Sequence, residues 1–243
     1  MKTIVVFSGA GLSKESGIPT FRDSLGGLWE NYSVEEVASR DGWNRDPSIV
    51  LGFYASRWET LQKCHPNAAH LAIAELGRHF HVINVTQNVD DLLERAGVSD
   101  AIHLHGRLNS RKCEWHQSIF GDPNNPEFHC DYRVEHTAPV QLGDTCPRCG
   151  GRMRPDIVWF GESVDMRWEY FEQLAKSTDV FIGVGTSGQV EPAASLLSVF
   201  RPTKEKYFID PAPPSQVTDY KLFTGTACQH LPDLVEQLKT RLA

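Results

Sequence analysis

Three short segments of this 243-residue chain put ligand-gripping or proton-moving side chains directly behind apolar runs. Thr3-Ile4-Val5-Val6-Phe7 leads into Gly9-Ala10-Gly11, residues 80–86 lead into Gln87-Asn88-Val89-Asp90, and residues 101–105 end on His105-Gly106. Two glycines behind a strand let backbone N–H groups approach a pyrophosphate, although two alone describe a turn equally well. A dinucleotide fingerprint requires a third glycine at position 14, and this chain has Lys14. The loop can therefore hold a pyrophosphate without placing the cofactor as a dehydrogenase does. Its continuation through Ser16-Gly17-Ile18-Pro19 to Phe21-Arg22 is longer than a turn needs.

Asn88 can donate and accept, and Asp90 can hold a ribose hydroxyl or a carboxamide. Taken alone, either residue reads more simply as the cap of a helix over 91–96. An imidazole at a strand end is suited to general-base work near neutral pH. His103 and His105 share a strand face, so periodicity does not choose between them; the strand end and the following glycine favour His105. Gly183-Val184-Gly185-Thr186-Ser187 offers a second phosphate or ribose contact at a strand end, or a plain turn.

Cys146-Pro147-Arg148-Cys149-Gly150-Gly151 has the spacing of a zinc knuckle, with Cys113 upstream and Cys130 between. Two ligand sets are open: the four thiolates Cys113, Cys130, Cys146 and Cys149, or a set with His116 in place of Cys130. Buried free thiols are the bland reading. Either metal set closes the zinc shell and makes the ion structural.

The elements that must position these groups follow from the pattern. Strand candidates at 3–7, 80–86, 101–105, 156–160, 180–184 and 206–210 are short, apolar and β-branched, as buried parallel strands are. Helices are expected at 68–76 capped by Asn67, from Asp46-Pro47 to about Gln62, at 193–200 after Pro192, and from Leu231 to Leu242. The fold class is α/β: a Rossmann-like doubly wound parallel sheet with a small zinc-binding module and a helical insertion. One domain is expected, its core built from 1–19, 67–106 and 155–243, with the helical insertion at 20–66 and the zinc module at 107–154. A net charge of −7 argues against a nucleic-acid surface. The opening apolar run is too short for a signal h-region, and no segment has the apolar length of a membrane span. Clustered cysteines point to a metal in a reducing cytoplasm.

Together these pieces resemble the sirtuin family of NAD-dependent protein-lysine deacylases. The resemblance rests on Gly9-Ala10-Gly11 through Ser16-Gly17-Ile18-Pro19 to Phe21-Arg22, then Thr86-Gln87-Asn88-Val89-Asp90, His105-Gly106, Val158-Trp159-Phe160-Gly161-Glu162 and Gly185-Thr186-Ser187, in the family's order. It implies NAD, consumed as co-substrate, and one structural zinc. It implies cofactor contacts at Gly9, Ala10, Gly11, Phe21, Arg22, Gln87, Asn88, Asp90, Gly185, Thr186, Ser187 and Asp210. Asp210 departs from the asparagine that sirtuins commonly place there to reach the adenosine.

The resemblance also implies that His105 acts as base toward a ribose hydroxyl, giving nicotinamide, free lysine and an acylated ADP-ribose. An extended acyl-lysine segment of a protein would pair along Val158, Phe160 and Gly161, with Val190 on the opposite flank. Tyr54 and Arg57, one helical turn apart, resemble the Tyr-x-x-Arg of bacterial sirtuins that remove succinyl and malonyl groups. A guanidinium matches a carboxylate with two prongs and a phenol adds a third bond; outside that family context, a surface arginine is the simpler reading. A monomer is expected, with no nucleic-acid or membrane partner. A mono-ADP-ribosyltransferase would use the same pocket with another acceptor, and a non-enzymatic zinc module would not need the polar set at 88, 90 and 105. Lys14 makes a hydride-transferring dehydrogenase the weakest alternative.

Overall fold

The computed structural model describes residues 1–20, 32–115 and 130–242. Phe21, Arg22 and His116 lie outside the described residues. In chain order the strands are β1 (Thr3–Ser8), β2 (His81–Thr86), β3 (Ala101–His103), β4 (Gly106–Cys113), β5 (Arg133–Glu135), β6 (Met153–Ile157), β7 (Val180–Val184), β8 (Glu205–Ile209) and β9 (Lys221–Phe223). The α-helices are α1 (Val34–Val37), α2 (Arg40–Arg45), α3 (Pro47–Lys63), α4 (Ala68–His79), α5 (Leu92–Arg95), α6 (Trp168–Ser177), α7 (Leu196–Val199) and α8 (Ala227–Leu242).

Six strands form a parallel sheet in the order β3-β2-β1-β7-β8-β9. The chain moves outward from β1 in one direction through β2 and β3, then in the other through β7 to β9. The topological switch therefore falls between β1 and β7, where open α/β sheets bind ligands. Strand β1 shows why the sheet is covered on both faces. Ile4 and Val6 pack with Ile73 and Leu76 of α4 and Leu234 of α8, while Val5 and Phe7 pack with Phe171 of α6 and Phe200. A third apolar cluster joins α3 to the antiparallel sheet β5-β4-β6 through Trp43, Phe53, Met153 and Trp159.

Helix starts obey local rules. The Asp46 carboxylate accepts from Ser48 N and Ile49 N at 3.0 and 3.3 Å, with Pro47 opening α3. Asn67 accepts from Ala69 N and His70 N to start α4, which runs through Gly77 to His79.

The expected core strand over 156–160 is corrected. Residues Met153–Ile157 form β6, which runs antiparallel to β4 in the small sheet. The chain turns from β3 into β4 within two residues, presenting a fresh edge on which β6 pairs. Pro155 offers no N–H to that ladder, and the β4–β6 register shifts between Arg107 and Arg111. Strand β3 likewise ends at His103 rather than 105, and the segment after Pro192 is a 3-10 turn over Ala193–Ser195 followed by α7. Helix α8 starts at Ala227 rather than at Leu231, with Pro232 inside it. Among the described residues, no helix is long and apolar enough to cross a membrane.

Candidate active site and metal centre

The carboxyl ends of β1, β2, β3, β7 and β8 bring Ser13, Gln87, Asn88, Asp90, His105, Thr186 and Asp210 to one edge of the parallel sheet. The glycine loop packs there against the loop after β7. Gly9 N donates to Val184 O at 3.0 Å and Gly11 N to Gly185 O at 2.8 Å. A Cβ on Gly9 would lie 2.7 Å from Gly185 O, and one on Gly11 2.7 Å from Gly185 Cα. These glycines are thus required first by contact within the protein, in addition to any approach by a phosphate. Beyond them the chain makes two short 3-10 turns, Ala10–Leu12 and Lys14–Ser16, rather than a long helix.

Thr86 and Gln87 tie the strand ends together. Ser8 Oγ donates to Thr86 Oγ1 at 2.9 Å, Gln87 N donates to Ser8 O at 2.9 Å, and Gln87 Nε2 donates to Thr186 Oγ1 at 2.7 Å. Beneath them lies a buried polar network that the sequence reading missed. Asn67 N donates to His70 Nδ1 at 3.2 Å, so the His70 proton sits on Nε2, which faces Ser13 Oγ at 3.4 Å. Asn88 Nδ2 also donates to Ser13 Oγ, at 3.1 Å, and the Ser13 hydroxyl bonds the Asp90 carboxylate. Burial lowers the His70 pKa to about 4 and raises that of Asp90, against which Ser13 and the Leu92 backbone N–H pull down. Asn67 and His70 stand at N-cap and N3 of α4, and that spacing was the signal available in the sequence.

The two candidate histidines have different partners. His103 Nδ1 donates to Asn88 O at 2.9 Å and its Nε2 meets Glu94 Oε1 at 2.8 Å, so both nitrogens are engaged. His105 Nδ1 donates to Gln87 O at 3.0 Å, leaving the Nε2 lone pair with no partner among the described residues. Burial holds the His105 imidazole below the ordinary histidine range, opposed by the Gln87 carbonyl. A fixed tautomer with a neutral, unclaimed Nε2 is what a general base requires.

His105 O accepts from Val158 N at 2.9 Å, and Phe160 N donates to Ala38 O at 2.9 Å. The segment after β6 is therefore fastened to the base and to α1's C-terminus. Along it Trp159 is buried, Val158 is half-buried and Phe160 is 53% exposed. Gly161 adopts φ +83 with open space around it. Val190 is half-buried at the loop that follows Ser187.

Tyr54 and Arg57 share one face of α3. Tyr54 is buried and its Oη accepts from Trp159 Nε1 at 3.0 Å. Burial pushes the phenol up to about 12, partly offset by the Arg57 charge. Burial also lowers Arg57, which the Tyr54 and Asp90 charges support, and its guanidinium lies 5.6 Å from the Phe53 ring centre.

Cys113, Cys130, Cys146 and Cys149 place their sulfurs within 4.8 Å of one another. Cys113 and Cys149 are 3.4 Å apart and Cys130 and Cys146 3.6 Å apart, close to the ~3.8 Å edge of a tetrahedron with zinc–sulfur bonds of about 2.3 Å. Burial pushes the Cys113 and Cys130 thiols up, so a cation is what would let all four ionise together. This donor set fits a structural zinc, with Cys130 a member of the described cluster; His116 lies outside the described residues.

A dinucleotide-type strand-end site beside a closed four-sulfur module defines a Rossmann-like metalloprotein. The chain belongs to the Sir2 family, whose sequence pattern matches residues 9–192. It is 45% identical over 213 residues to the NAD-dependent protein deacylase of Bacteroides thetaiotaomicron, covering 88% of this chain and 87% of that one. The Helicobacter pylori protein of the same name is 47% identical over 211 residues, with 87% and 83% covered. A solved Sir2 homolog–NAD complex superposes with a TM-score of 0.84 at 36% identity, covering 100% of this chain and 91% of that one.

Proposed function

We propose that the chain is an NAD-dependent protein-lysine deacylase with a preference for acyl groups that end in a carboxylate, such as succinyl and malonyl. The observation that carries the deacylase reading is His105, whose tautomer is fixed by Gln87 O and whose Nε2 has no partner among the described residues. The names of the relatives support the same activity. Gly9, Ala10, Gly11, Gln87, Asn88, Asp90, Gly185, Thr186, Ser187 and Asp210 would hold NAD, together with Phe21 and Arg22. When bound, NAD supplies a ribose carbon that accepts the acyl oxygen as nicotinamide leaves. Asn88, fixed by Ser13, and Asp90, fixed by Ser13 and Leu92 N, present a rigid polar wall to the nicotinamide end. His105 Nε2 would take the proton of a ribose hydroxyl as that oxygen bonds the acyl carbon, and one water molecule would supply the oxygen that releases the lysine amine and leaves the acyl group on ADP-ribose.

The acidic-acyl preference is supported by two donors on α3, the Tyr54 hydroxyl and the Arg57 guanidinium, for which no acceptor is recorded among the described residues. Val158, Phe160, Gly161 and Val190 would flank the extended peptide. A cluster of thiols that must stay reduced to bind metal supports a reducing compartment such as the cytoplasm.

Mass spectrometry of acetyl-, malonyl- and succinyl-lysine peptides, with and without NAD, tests the proposal. NAD-dependent loss of the acyl mass with free acylated ADP-ribose is expected, fastest for the acidic groups. ADP-ribose attached to protein would instead indicate a transferase.

A further inference from the structure

Trp159 sits between the two halves of the site and belongs to neither in the reading above. Its indole N–H is a donor only, and it is spent on Tyr54 Oη at 3.0 Å, with both side chains buried. A phenol that accepts a bond on its oxygen in this way keeps its own O–H for a different partner. Among the described residues that O–H has none, and the phenol lies close enough to Arg57 to feel its charge.

The indole cannot turn away from this bond. Arg154 lies over its ring at 3.9 Å and is itself held by Glu162 Oε1 at 2.5 Å and Ile157 O at 3.3 Å. Glu162 Oε2 accepts from the Trp159 backbone N–H at 3.0 Å, so one carboxylate fixes both the backbone of Trp159 and the cation over its ring. Trp43 packs beside it at 5.7 Å between ring centres. Arg154 and the Glu162 side chain are almost wholly buried, which makes their pairing a rigid part of the core.

We propose that Trp159 is a positioning residue for acyl selection, which fixes the Tyr54 hydroxyl as a hydrogen-bond donor aimed, with Arg57, at the carboxylate of the acyl chain. This rests on the acidic-acyl reading of Tyr54 and Arg57. The bond spans 105 positions and links α3 to the segment proposed to pair with the peptide. Seating of the peptide and recognition of the acyl terminus therefore share one clamp. A phenylalanine at 159 would fill much of the same space and leave the Tyr54 hydroxyl free to rotate, accepting or donating without preference.

The test compares kcat/KM for succinyl- and acetyl-lysine versions of one peptide at saturating NAD, each variant's acetyl value serving as its own reference. Trp159→Phe is expected to lower the succinyl-to-acetyl ratio about tenfold, the worth of one oriented hydrogen bond, mainly through KM for the succinyl peptide. Replacing Trp159 by β-(3-benzothienyl)alanine, which keeps the ring shape and lacks the N–H, is expected to do the same and guards against a folding defect in the phenylalanine variant. On a Tyr54→Phe background, Trp159→Phe should change the ratio by less than about twofold, because the hydroxyl it orients is gone. Equal losses for both acyl groups, or additive effects of the two substitutions, would overturn the assignment and leave Trp159 a packing residue. Arg57→Met separates the layers. If it leaves the ratio unchanged, the carboxylate reading itself fails; if it collapses the ratio while both Trp159 replacements do not, only the role of Trp159 fails.

Discussion

The strand-end region and the α3 region of this enzyme are built on different principles. Around His105, Gln87 and Asn88, the course of the chain is set by backbone, through a strand end, a carbonyl on Nδ1 and a loop anchored by Gln87 N on Ser8 O, and Ser13 and Thr186 bond the Asn88 and Gln87 side chains upon it. Around Tyr54 and Arg57, position is set by side chains reaching between separate elements, with Trp159 bonded to Tyr54 and Arg154 stacked on Trp159. A backbone-built site resists change, because altering it means altering the sheet. A side-chain-built site can be retuned one residue at a time. The difference teaches that, with acyl choice at Tyr54 and Arg57 as proposed, the chemistry common to all acyl groups and the choice among them would be physically separable.

The largest test of that separation is His105→Ala. It should lower turnover by about 10²- to 10⁴-fold for acetyl and succinyl peptides alike, measured by product formation at saturating NAD. A loss confined to one acyl group would erase the distinction between the regions. Replacing Cys130 of the four-sulfur cluster by alanine should release zinc, lower the thermal midpoint by roughly 10 °C or more, and depress all activities together. His116→Ala should leave zinc content unchanged, and loss of zinc from that variant would exchange the two residues' roles. Arg57→Met should weaken desuccinylation about tenfold or more relative to deacetylation, since charge-assisted bonds contribute about 1.5–3 kcal/mol.

The smallest effect sharpens the backbone side. His70 is held near a pKa of about 4 by burial, well below the ordinary 6.5. Between those values the unfolded chain takes up a proton that the native state refuses. Stability should therefore fall as pH drops through this window, by up to about 1.4 kcal/mol per pH unit from this residue. Urea unfolding of His70→Gln at pH 7 and pH 5 should show a smaller difference between the two pH values than the parent protein does.

Much of this was readable before any coordinates. The glycine loop, Asn88, Asp90 and His105 announce themselves because each follows an apolar run, and strand ends are where α/β sheets bind. The Cys-x-x-Cys knuckle is local and equally plain. Residues 156–160 misled because a short apolar run has the same appearance in a parallel core strand and in an antiparallel edge; only the pairing with β4 distinguishes them. Ser13, His70 and Trp159 were silent for a related reason. A buried serine, a capping histidine and a core tryptophan are ordinary residues until their partners are known, and those partners lie 57, 75 and 105 positions away.

One glycine carries a final consequence. Gly106 adopts φ +84, and a Cβ there would lie 1.9 Å from Asp156 O. It follows His105 directly and opens β4, the strand that ends on Cys113 of the four-sulfur cluster. Strand β4 therefore runs from beside the imidazole to the sulfur cluster, with one irregularity between Arg107 and Arg111. A chelator is therefore expected to act on this enzyme as a remote brake, slowing turnover at saturating NAD through β4.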